Sequence, residues 1–296
     1  MPQKYKEYYD TERIKFEAYL KDLLDGLNDV PEPVRSGMKY AVGSGGKRLR
    51  PMLAILVAKL FGAEAEMIYP IAASIELIHN YSLVHDDLPC MDNDDLRRGM
   101  PTVHVRYGEG MAVLIGDALL NTAVEVIAES GSLYGDNLSR IILAVFTNSG
   151  ARGMIAGQCV DLASEGDDEA ISAERVEYLH LHKTACLIEA PIVASAIACG
   201  ADDNDINALK SYARNLGLAF QITDDVLDIE GDEVTFGKPV GSDEAMGKLT
   251  YPRVYGVDKS KALARQCIND ACKALESFTD ADYLKELVIS IENRIK

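Results

Sequence analysis

Apolar positions recur every three or four residues along most of the chain, which is the period of an amphipathic α-helix. The stretch IAASIELIHNYSLVHDD, residues 71–87, shows this period and contains no run of β-branched residues that would favour a strand. The same pattern predicts further helices at 51–61, 111–129, 138–161, 172–199, 204–229 and 259–294. We therefore expect an all-α protein built as a single-domain bundle of roughly ten or more helices over residues 1–296.

Local signals predict where several helices end. Ser172 suits a helix N-cap, and Gly200 suits the stop after ASAIACG. Pro191 lies inside the 172–199 pattern and predicts a kink or a break. Pro89 biases the preceding residue away from the helical conformation. We therefore expect Asp92 to lie beyond a helix end and to turn back toward Asp86.

Three polar or glycine-rich segments interrupt the helical pattern: GSGGKRLRP (43–51), SEGDDEA (164–170) and EGDEVTFGKPVGSDEAMGKLTYP (230–252). The last is predicted to be a long loop, and loops of that length in compact domains are usually functional. The sequence contains no internal repeat and no low-complexity tract.

Composition narrows the class of protein. With 48% hydrophobic and 26% charged residues, the chain can bury a sizeable core. A net charge of −17 disfavours binding to nucleic acid or an anionic membrane, so an anionic ligand needs local basic clusters or bridging cations. Six cysteines without a CxxC pair are typical of reduced thiols in a cytoplasmic protein. No segment reads as a signal peptide or as a membrane span of ~20 apolar residues, and stable membrane insertion is not expected.

Two clusters of aspartates lie on otherwise apolar helices. In GLAFQITDDVLDIEG, Asp224 and Asp228 are four residues apart on one helix face, with Gln221 and Asp225 beside them. Like charges at this spacing destabilise a helix by a few tenths of a kcal/mol unless a cation neutralises them. Side-chain oxygens without histidine or thiolate partners suit magnesium. A solvated acidic face is the alternative for either cluster alone.

The first cluster contains Asp86, Asp87 and Asp92 in DDLPCMDNDDLRRG. Neither cluster has the ligand spacing or the glycine of an EF-hand loop, so calcium fits less well than magnesium. The presence of two such clusters favours metal-mediated binding of an anion over a solvated surface.

Basic residues flank these clusters. Lys47, Arg48 and Arg50 lie in a glycine-rich loop whose amides are available to a phosphate, although the loop is not a Walker A motif. Arg97 and Arg98 follow the first cluster directly, and planar guanidinium groups suit phosphate oxygens. Other candidates occur later in the chain, namely Lys183, Thr184, Lys238 and Lys248.

Together these motifs resemble the trans-prenyl diphosphate synthases, specifically the bacterial farnesyl diphosphate synthase (geranyltranstransferase) type. The resemblance runs from about residue 30 to 253 through GGKRLRP, HDDLPCMDNDDLRRGMPTVH, GMIAGQCVDL, HKTACLI, FQITDDVLD, GKPVGSD and KLTYP. It implies helices around a deep central cavity, usually in a homodimer. It also implies Mg²⁺-dependent head-to-tail condensation of isopentenyl diphosphate with dimethylallyl or geranyl diphosphate.

The resemblance also implies roles for individual residues. Three Mg²⁺ ions would hold the allylic diphosphate on Asp86, Asp92 and Asp224, with Asp87, Asp225 and Asp228 around them. The allylic diphosphate, or the cation formed from it, would contact Arg97, Lys183, Thr184, Gln221 and Lys238. Isopentenyl diphosphate would bind Lys47, Arg50, His79 and Arg98. A lone histidine on an apolar helix is usually a core residue, but His79 shares the helix face of Asp86.

The residue types suit this chemistry. Magnesium with arginine and lysine stabilises a departing diphosphate. The carbocation that remains would face weak oxygen dipoles, which the Thr184 hydroxyl, the Lys183 carbonyl and the Gln221 amide supply. The double bond of isopentenyl diphosphate then attacks, and a proton is lost to the departed diphosphate. Lys183, Thr184, Gln221, Asp86 and Asp224 are thus the expected catalytic residues.

Product length is expected to depend on Tyr81, which lies five residues before Asp86 and about 7.5 Å down the helix axis. In the family that the chain resembles, a bulky aromatic residue here blocks longer chains and indicates the farnesyl product. Ser82 lies closer to the Asp86 stripe, so spacing alone leaves both positions as candidates. A geranylgeranyl or geranyl diphosphate synthase is the alternative.

Two other classes of protein share parts of this pattern. A terpene cyclase has one aspartate-rich motif but no isopentenyl diphosphate site, and GGKRLRP with Arg98 argues against it. A non-catalytic subunit of a prenyl synthase has eroded aspartate motifs, whereas both motifs are intact here.

Overall fold

The computed structural model describes residues 2–166, 171–230 and 247–292. Its α-helices, in chain order, are α1 (Gln3–Asp25), α2 (Val34–Gly43), α3 (Leu49–Leu60), α4 (Tyr69–Asp86), α5 (Val103–Tyr107), α6 (Glu109–Glu129), α7 (Gly131–Tyr134), α8 (Leu138–Ser149), α9 (Met154–Ser164), α10 (Ala173–His180), α11 (Cys186–Ala198), α12 (Asp203–Glu230), α13 (Tyr251–Tyr255), α14 (Val257–Ala274) and α15 (Asp282–Glu292). Short 3₁₀-helices cover Ala65–Ile68 and Gly135–Asn137, and a π-helix covers Leu181–Ala185.

The predicted all-α class is confirmed. In the described part of the chain, the β-structure is one antiparallel hairpin of β1 (Leu96–Arg97) and β2 (Met100–Pro101). It follows the first aspartate cluster directly, so its turn carries Arg98 next to Arg97. The sequence pattern did not indicate this hairpin, because two-residue strands are too short to show alternation.

Two predicted helices are each divided in the structure. The 138–161 pattern becomes α8 and α9, which are separated at Gly150–Gly153, where a Cβ on Gly153 would overlap the Asn148 carbonyl. The 259–294 pattern becomes α14 and α15, with residues 275–281 between them. In both cases the apolar period continues across a turn, so periodicity alone could not find the break.

The predicted helix ends are mostly confirmed. The Ser172 hydroxyl accepts a hydrogen bond from the Arg175 amide at 3.2 Å, and Gly200 has a φ of +79° just after α11. Pro191 does not break the helix, because α11 continues through that residue, and the alternative of a kink there stays a prediction. The irregularity lies earlier, in the π-helix at Leu181–Ala185, a rare geometry that is frequent at functional sites.

The interrupting segments are shorter than the sequence suggested. Residues 44–48 separate α2 from α3, because Gly43 and Leu49 are already helical. Of the loop predicted at 230–252, residues 231–246 lie outside the described part of the chain. Its two ends differ from the prediction, since Glu230 ends α12 and Tyr251 begins α13.

The centre of the fold is formed by α4 and α11, which are buried on nearly every face. The former packs against α3 and α6, and the latter packs against α3, α8 and α12. Helices surrounded in this way are apolar all round rather than along one stripe. The C-terminal end of α4 and the π-helix that precedes α11 line one cavity together with α9.

Two stretches among the described residues, Glu109–Glu129 and Ala173–Ala198, are long and apolar enough to cross a membrane. The expectation that no segment reaches this composition is therefore wrong. In Ala173–Ala198, however, 72% of the apolar window is buried inside the fold, as in the core helix of a soluble protein. Such stretches are weak evidence for membrane insertion, because core helices pass the same test.

Candidate active site

A cavity of about 470 Å³ lies between α4, α9 and the π-helix. Its polar lining includes Arg50, His79, Asp86, Gln158, Lys183 and Thr184. Its apolar lining includes Tyr81, Leu83, Met91, Met154, Ile155, Leu162 and Leu187. Charged groups and an apolar wall thus meet in one space, which suits a ligand with an anionic head and a hydrocarbon chain.

The first aspartate cluster has the predicted shape. Helix α4 ends at Asp86, and the Asp92 amide donates to the Asp86 carbonyl at 2.8 Å, so the chain turns back past Pro89. Burial raises the pKa of Asp86 to about 6, with the nearby Asp92 carboxylate adding to the effect and Lys183 opposing it. Two carboxylates and one ammonium group are thus close enough to interact at this end of the cavity.

Arg97 contacts the same cluster through Asp87. The Arg97 Nε donates to the buried Asp87 carboxylate at 2.6 Å, and an Arg97 Nη2 lies 2.5 Å from the same oxygen. Burial raises the pKa of Asp87 and Arg97 opposes that rise. The structure therefore places Asp87 behind the cluster, where it holds the arginine that follows the motif.

The second cluster lies on α12. Asp225 and Asp228 are buried, whereas Asp224 and Gln221 are partly exposed. The Asp225 carboxylate accepts from the Gln221 side-chain amide at 3.0 Å and from the Tyr251 backbone amide at 2.9 Å. Burial raises the pKa of Asp225 to about 7. Asp225 therefore joins α12 to the beginning of α13, and Asp224 is the more accessible of the two adjacent carboxylates.

Lys183 and Thr184 lie on the π-helix and face the cavity. The Thr184 hydroxyl donates to the Gln221 side-chain oxygen at 2.8 Å, and Gln221 in turn donates to Asp225. This chain of hydrogen bonds orients the hydroxyl, so its lone pairs point away from Gln221. A Cβ on Gly157 would overlap the Lys183 backbone nitrogen, so α9 packs directly on the π-helical turn.

The glycine-rich loop brings together most of the predicted basic residues. An Arg50 Nη1 lies 3.4 Å from His79 Nε2. Burial, followed by the Arg50 and Arg98 charges, holds the pKa of His79 well below its usual value, so this imidazole is neutral. Burial also lowers the pKa of Arg50 to about 10.

Arg98 also contacts the glycine-rich loop. Its φ is +55°, and its guanidinium donates to the Gly45 carbonyl and packs against Gly46. Gly46 has a φ of +132°, a conformation that favours glycine, and a Cβ there would lie 2.7 Å from an Arg98 nitrogen. Lys47 is exposed in the same loop, and Lys238 lies outside the described residues. Three of the four residues predicted for isopentenyl diphosphate thus contact one another or the same loop.

Arg48, in contrast, is buried and supports the loop. It adopts a left-handed conformation with a φ of 51°, and its Nη1 lies 2.6 Å from the buried Glu76 carboxylate. Its Nη2 donates to the Val42 carbonyl at 2.8 Å. The buried pair ties the loop to α2 and α4, which explains the third basic residue in GGKRLRP.

Sequence reasoning missed two buried polar residues, which interact with Lys183 and with Asp225. Asp161 on α9 pairs with the Lys183 ammonium, and burial of His180 lowers its pKa to about 3. His180 stacks on Tyr251 with ring centroids 5.1 Å apart. Asp161 lies in the GMIAGQCVDL segment, and its carboxylate within an otherwise apolar helix could have marked it as a functional residue. For His180, the sequence offered no such signal except that it lies next to the HKTACLI segment.

The two candidates for chain length both line the cavity. Tyr81 is only 6% exposed, and its ring packs edge-to-face on His85. Ser82 is small, and its hydroxyl donates back to the His79 carbonyl at 2.9 Å. The large, rigid ring of Tyr81 therefore occupies the position five residues before Asp86. The next residue, Ser82, has only a short side chain, which is hydrogen-bonded to the backbone of its own helix.

Known proteins share this sequence and fold. Residues 31–290 match the polyprenyl synthetase family. A chloroplastic geranylgeranyl pyrophosphate synthase 7 of Arabidopsis thaliana is 42% identical over 91% of this chain and 78% of its own. The geranyltransferase of Legionella pneumophila superposes with a TM-score of 0.85 at 33% identity, covering 99% of this chain and 97% of its own.

A third relative was solved with ligands. The geranyltransferase of Helicobacter pylori complexed with magnesium and isoprenyl diphosphate has a TM-score of 0.83 at 32% identity, covering 100% of this chain and 98% of its own. The match to the family covers far more than half of the chain. The protein therefore belongs to the polyprenyl synthetase family, whose members are prenyltransferases that lengthen prenyl chains.

Proposed function

We propose that this protein catalyses the magnesium-dependent head-to-tail condensation of isopentenyl diphosphate with dimethylallyl and then geranyl diphosphate, and that it releases farnesyl diphosphate. The observation that carries the proposal is that one cavity is lined by the charged side chains of Asp86 and Lys183 and also by apolar side chains and the buried ring of Tyr81. A diphosphate head group fits the charged part of the cavity, and a prenyl chain of limited length fits the apolar part.

The donor set fits magnesium. Asp86 and Asp92 at the end of α4, and Asp224 on α12, offer carboxylate oxygens of the kind that Mg²⁺ prefers. Within the described residues, no group of three or more such side chains is arranged to hold a metal ion by itself. Mg²⁺ is commonly bound by one or two carboxylates together with waters and substrate phosphates. The magnesium in the related Helicobacter pylori enzyme supports this assignment, and we expect three ions here. When bound, they neutralise charge on the departing diphosphate.

The cationic side chains divide between the two diphosphates. Arg97 pairs with Asp87, and the Lys183 charge opposes the rise in the pKa of Asp86, so both side chains would hold the allylic diphosphate, together with Lys238. Lys47, Arg50, His79 and Arg98 lie on or against the glycine-rich loop and would hold isopentenyl diphosphate. The two substrates would then meet near Asp86, where the cavity is polar, with their chains directed along its apolar wall.

Thr184 and Gln221 suit the carbocation that forms when the allylic carbon–oxygen bond breaks. Because the Thr184 hydroxyl proton points to Gln221, the lone pairs of its oxygen remain available to a positive charge in the cavity. The Lys183 carbonyl adds a further dipole. No protein base is required for the last step, since the departed diphosphate accepts the proton lost after attack by isopentenyl diphosphate.

The alternative product is geranylgeranyl diphosphate, and a specific observation favours it. The curated relatives at about 42% identity are geranylgeranyl pyrophosphate synthases, whereas the similar solved structures include geranyltransferases. Tyr81 distinguishes the two products by steric exclusion. Purified protein incubated with Mg²⁺, isopentenyl diphosphate and dimethylallyl diphosphate, followed by chromatography of the dephosphorylated products, should yield the fifteen-carbon alcohol. A twenty-carbon product instead would establish the alternative, and a lack of any condensation would refute both.

We further propose that the protein is a homodimer. Val113, Leu114 and Val124 on α6 and Leu143 on α8 are between 38% and 64% exposed, which leaves an apolar face of this helix pair in contact with solvent. A second copy of the chain would cover that face. Light scattering should give twice the chain mass of 32.3 kDa, and Leu114→Lys should shift it toward the single-chain mass.

A cytoplasmic location is part of the same proposal. All six cysteines are free thiols, which suits a reducing compartment. Cell fractionation with an antibody to the protein tests this, and recovery in a membrane or secreted fraction would contradict it.

A further inference from the structure

The apolar end of the cavity is formed by two aromatic rings rather than one. Tyr81 and His85 are one turn apart on α4, and both line the cavity. Their ring centroids are 5.7 Å apart at an interplanar angle of 82°, an edge-to-face contact. The position of the Tyr81 ring therefore depends on where the His85 ring lies.

The His85 ring is itself held by α6. Its Nε2 lies 3.1 Å from the Val113 carbonyl oxygen. Because a carbonyl only accepts hydrogen bonds, Nε2 must carry the hydrogen and donate it. This bond fixes the tautomer and directs the imidazole across the groove between α4 and α6.

Gly116 provides the space into which the imidazole fits. A Cβ at that position would overlap His85 Nε2 and Cδ2, and Cε1 would lie within 2.9 Å. Val113 and Gly116 are nearly one helical turn apart on α6. The Val113 carbonyl accepts the hydrogen bond from His85, and Gly116 leaves room for the imidazole because it has no side chain. Any larger residue at 116 must push the ring away from α6, toward Tyr81 and the cavity.

We propose that His85 is a determinant of product length, with Gly116 and the Val113 carbonyl as the elements that position it. The floor of the cavity is the pair Tyr81–His85, anchored to α6, and its depth changes when either the pair or its anchor changes. This inference rests on the proposed condensation of prenyl diphosphates. It adds that α6, a helix that carries neither aspartate cluster, controls how long the prenyl chain grows.

Removing the His85 ring should deepen the cavity. In His85→Ala, Tyr81 loses the surface against which it packs, and the void accepts a further isoprene unit. Differences of this size in an apolar pocket change selectivity by roughly tenfold or more, so the ratio of twenty-carbon to fifteen-carbon product should rise by about that factor. His85→Gln keeps a side-chain amide that can donate to the Val113 carbonyl, and it should keep a ratio closer to that of the unmodified protein.

Filling the Gly116 position should have the opposite effect. In Gly116→Ala the added methyl group displaces the far end of a side chain rather than backbone, so the fold is retained while the imidazole moves into the cavity. The ratio of ten-carbon to fifteen-carbon product should therefore rise by roughly tenfold. Gly110→Ala is the matched control, because a Cβ at Gly110 on the same helix meets nothing within 4 Å. It should leave the product ratio unchanged.

The experiment measures product ratios of the four purified variants and the unmodified protein under identical conditions, with thermal unfolding as a check on folding. Opposite shifts in His85→Ala and Gly116→Ala, with Gly110→Ala unchanged, support the proposal. Unchanged ratios in both test variants overturn it, as does a Gly116→Ala profile identical to that of Gly110→Ala. If His85→Ala loses turnover because it adjoins Asp86, Gly116→Ala decides alone.

Failure of the proposed function would be separate and visible. It would appear in the unmodified protein as a lack of condensation, or as a main product other than farnesyl diphosphate. If the unmodified protein makes a different main product, the changes in product length in His85→Ala and Gly116→Ala are measured relative to that product. Failure of the His85 inference would appear only in the variants.

Discussion

The Lys183 ammonium on the π-helix is paired with the buried carboxylate of Asp161 on α9. Burial by itself would lower the pKa of Lys183, but the Asp161 charge raises it above the usual value. Lys183 therefore stays protonated and is held at the cavity wall before any diphosphate arrives. Asp161, which sequence reasoning left without a role, positions a residue that we expect to bind substrate.

Replacement of Asp161 by asparagine should weaken binding of the allylic substrate. The amide keeps the shape of the side chain but removes the charge that fixes Lys183. Because small misplacements of a positioning group are costly, we expect the KM for geranyl diphosphate to rise by roughly tenfold to a hundredfold, with a smaller effect on the KM for isopentenyl diphosphate. Steady-state kinetics with each substrate varied in turn measures this split. Asp270→Asn on the exposed face of α14 is the control, and equal changes in both KM values would contradict the assignment.

The two aspartate clusters should be equally indispensable. Asp86→Asn and Asp224→Asn each remove a carboxylate that we assign to magnesium, so turnover should fall by at least about a hundredfold at saturating Mg²⁺. A chelator should abolish the activity of the unmodified protein, and added magnesium should restore it. Asp95→Asn changes an exposed side chain in the same loop and should retain activity. Near-normal turnover of either test variant would return that cluster to the status of a solvated surface.

Loss of the Arg48 side chain should destabilise the fold. Arg48→Met leaves the Glu76 carboxylate buried without the guanidinium that neutralises it, and breaking such a pair costs about 3–5 kcal/mol. Urea unfolding monitored by circular dichroism gives the free energy of unfolding. Lys21→Met is the control, because its ion pair with Asp25 is solvent-exposed and such pairs contribute little to stability. A loss no larger than that of the control would show that the buried pair is not needed.

Stability should depend on pH through His180. Burial lowers its pKa to about 3, whereas an unfolded histidine titrates near 6.5. Between these values the unfolded chain binds a proton that the folded chain does not, so this residue makes the folded state less stable as the pH falls from 6.5 toward 3. His79 acts in the same direction, and the raised pKa of Asp225 acts against it.

Comparison with His180→Gln tests the contribution of His180 together with that of the neighbouring Asp225 carboxylate, whose Oδ2 lies 3.6 Å from the His180 Nε2. Urea unfolding at pH 6.5 and at pH 4.5 should show a larger loss of unfolding free energy in the unmodified protein than in the variant. His182→Gln, at a partly exposed position two residues later, is the matched control and should keep the full pH dependence. The same slope in His180→Gln and in the unmodified protein would refute the burial of a neutral imidazole.

Helix type and helix position were largely predictable because burial leaves a 3.6-residue period in the sequence. The turn at Asp86–Asp92 was predictable for a different reason, namely the local restriction that Pro89 places on its neighbour. The breaks inside 138–161 and 259–294 were not, since an apolar face continues across them. Nor was the π-helix, which is packed closely against Gly157 of another helix at Lys183.

The amino-acid sequence by itself determined the helical class, the two aspartate clusters, and the basic residues that accompany them, because these depend on residue type and short spacing. The tertiary structure alone decided which of these charges meet. It paired Arg48 with Glu76 rather than with a ligand, placed Asp161 on Lys183, and rested His85 on Gly116 beneath the cavity. Such contacts join residues from 22 to 31 positions apart, and no local pattern records them, since they depend on how whole helices pack.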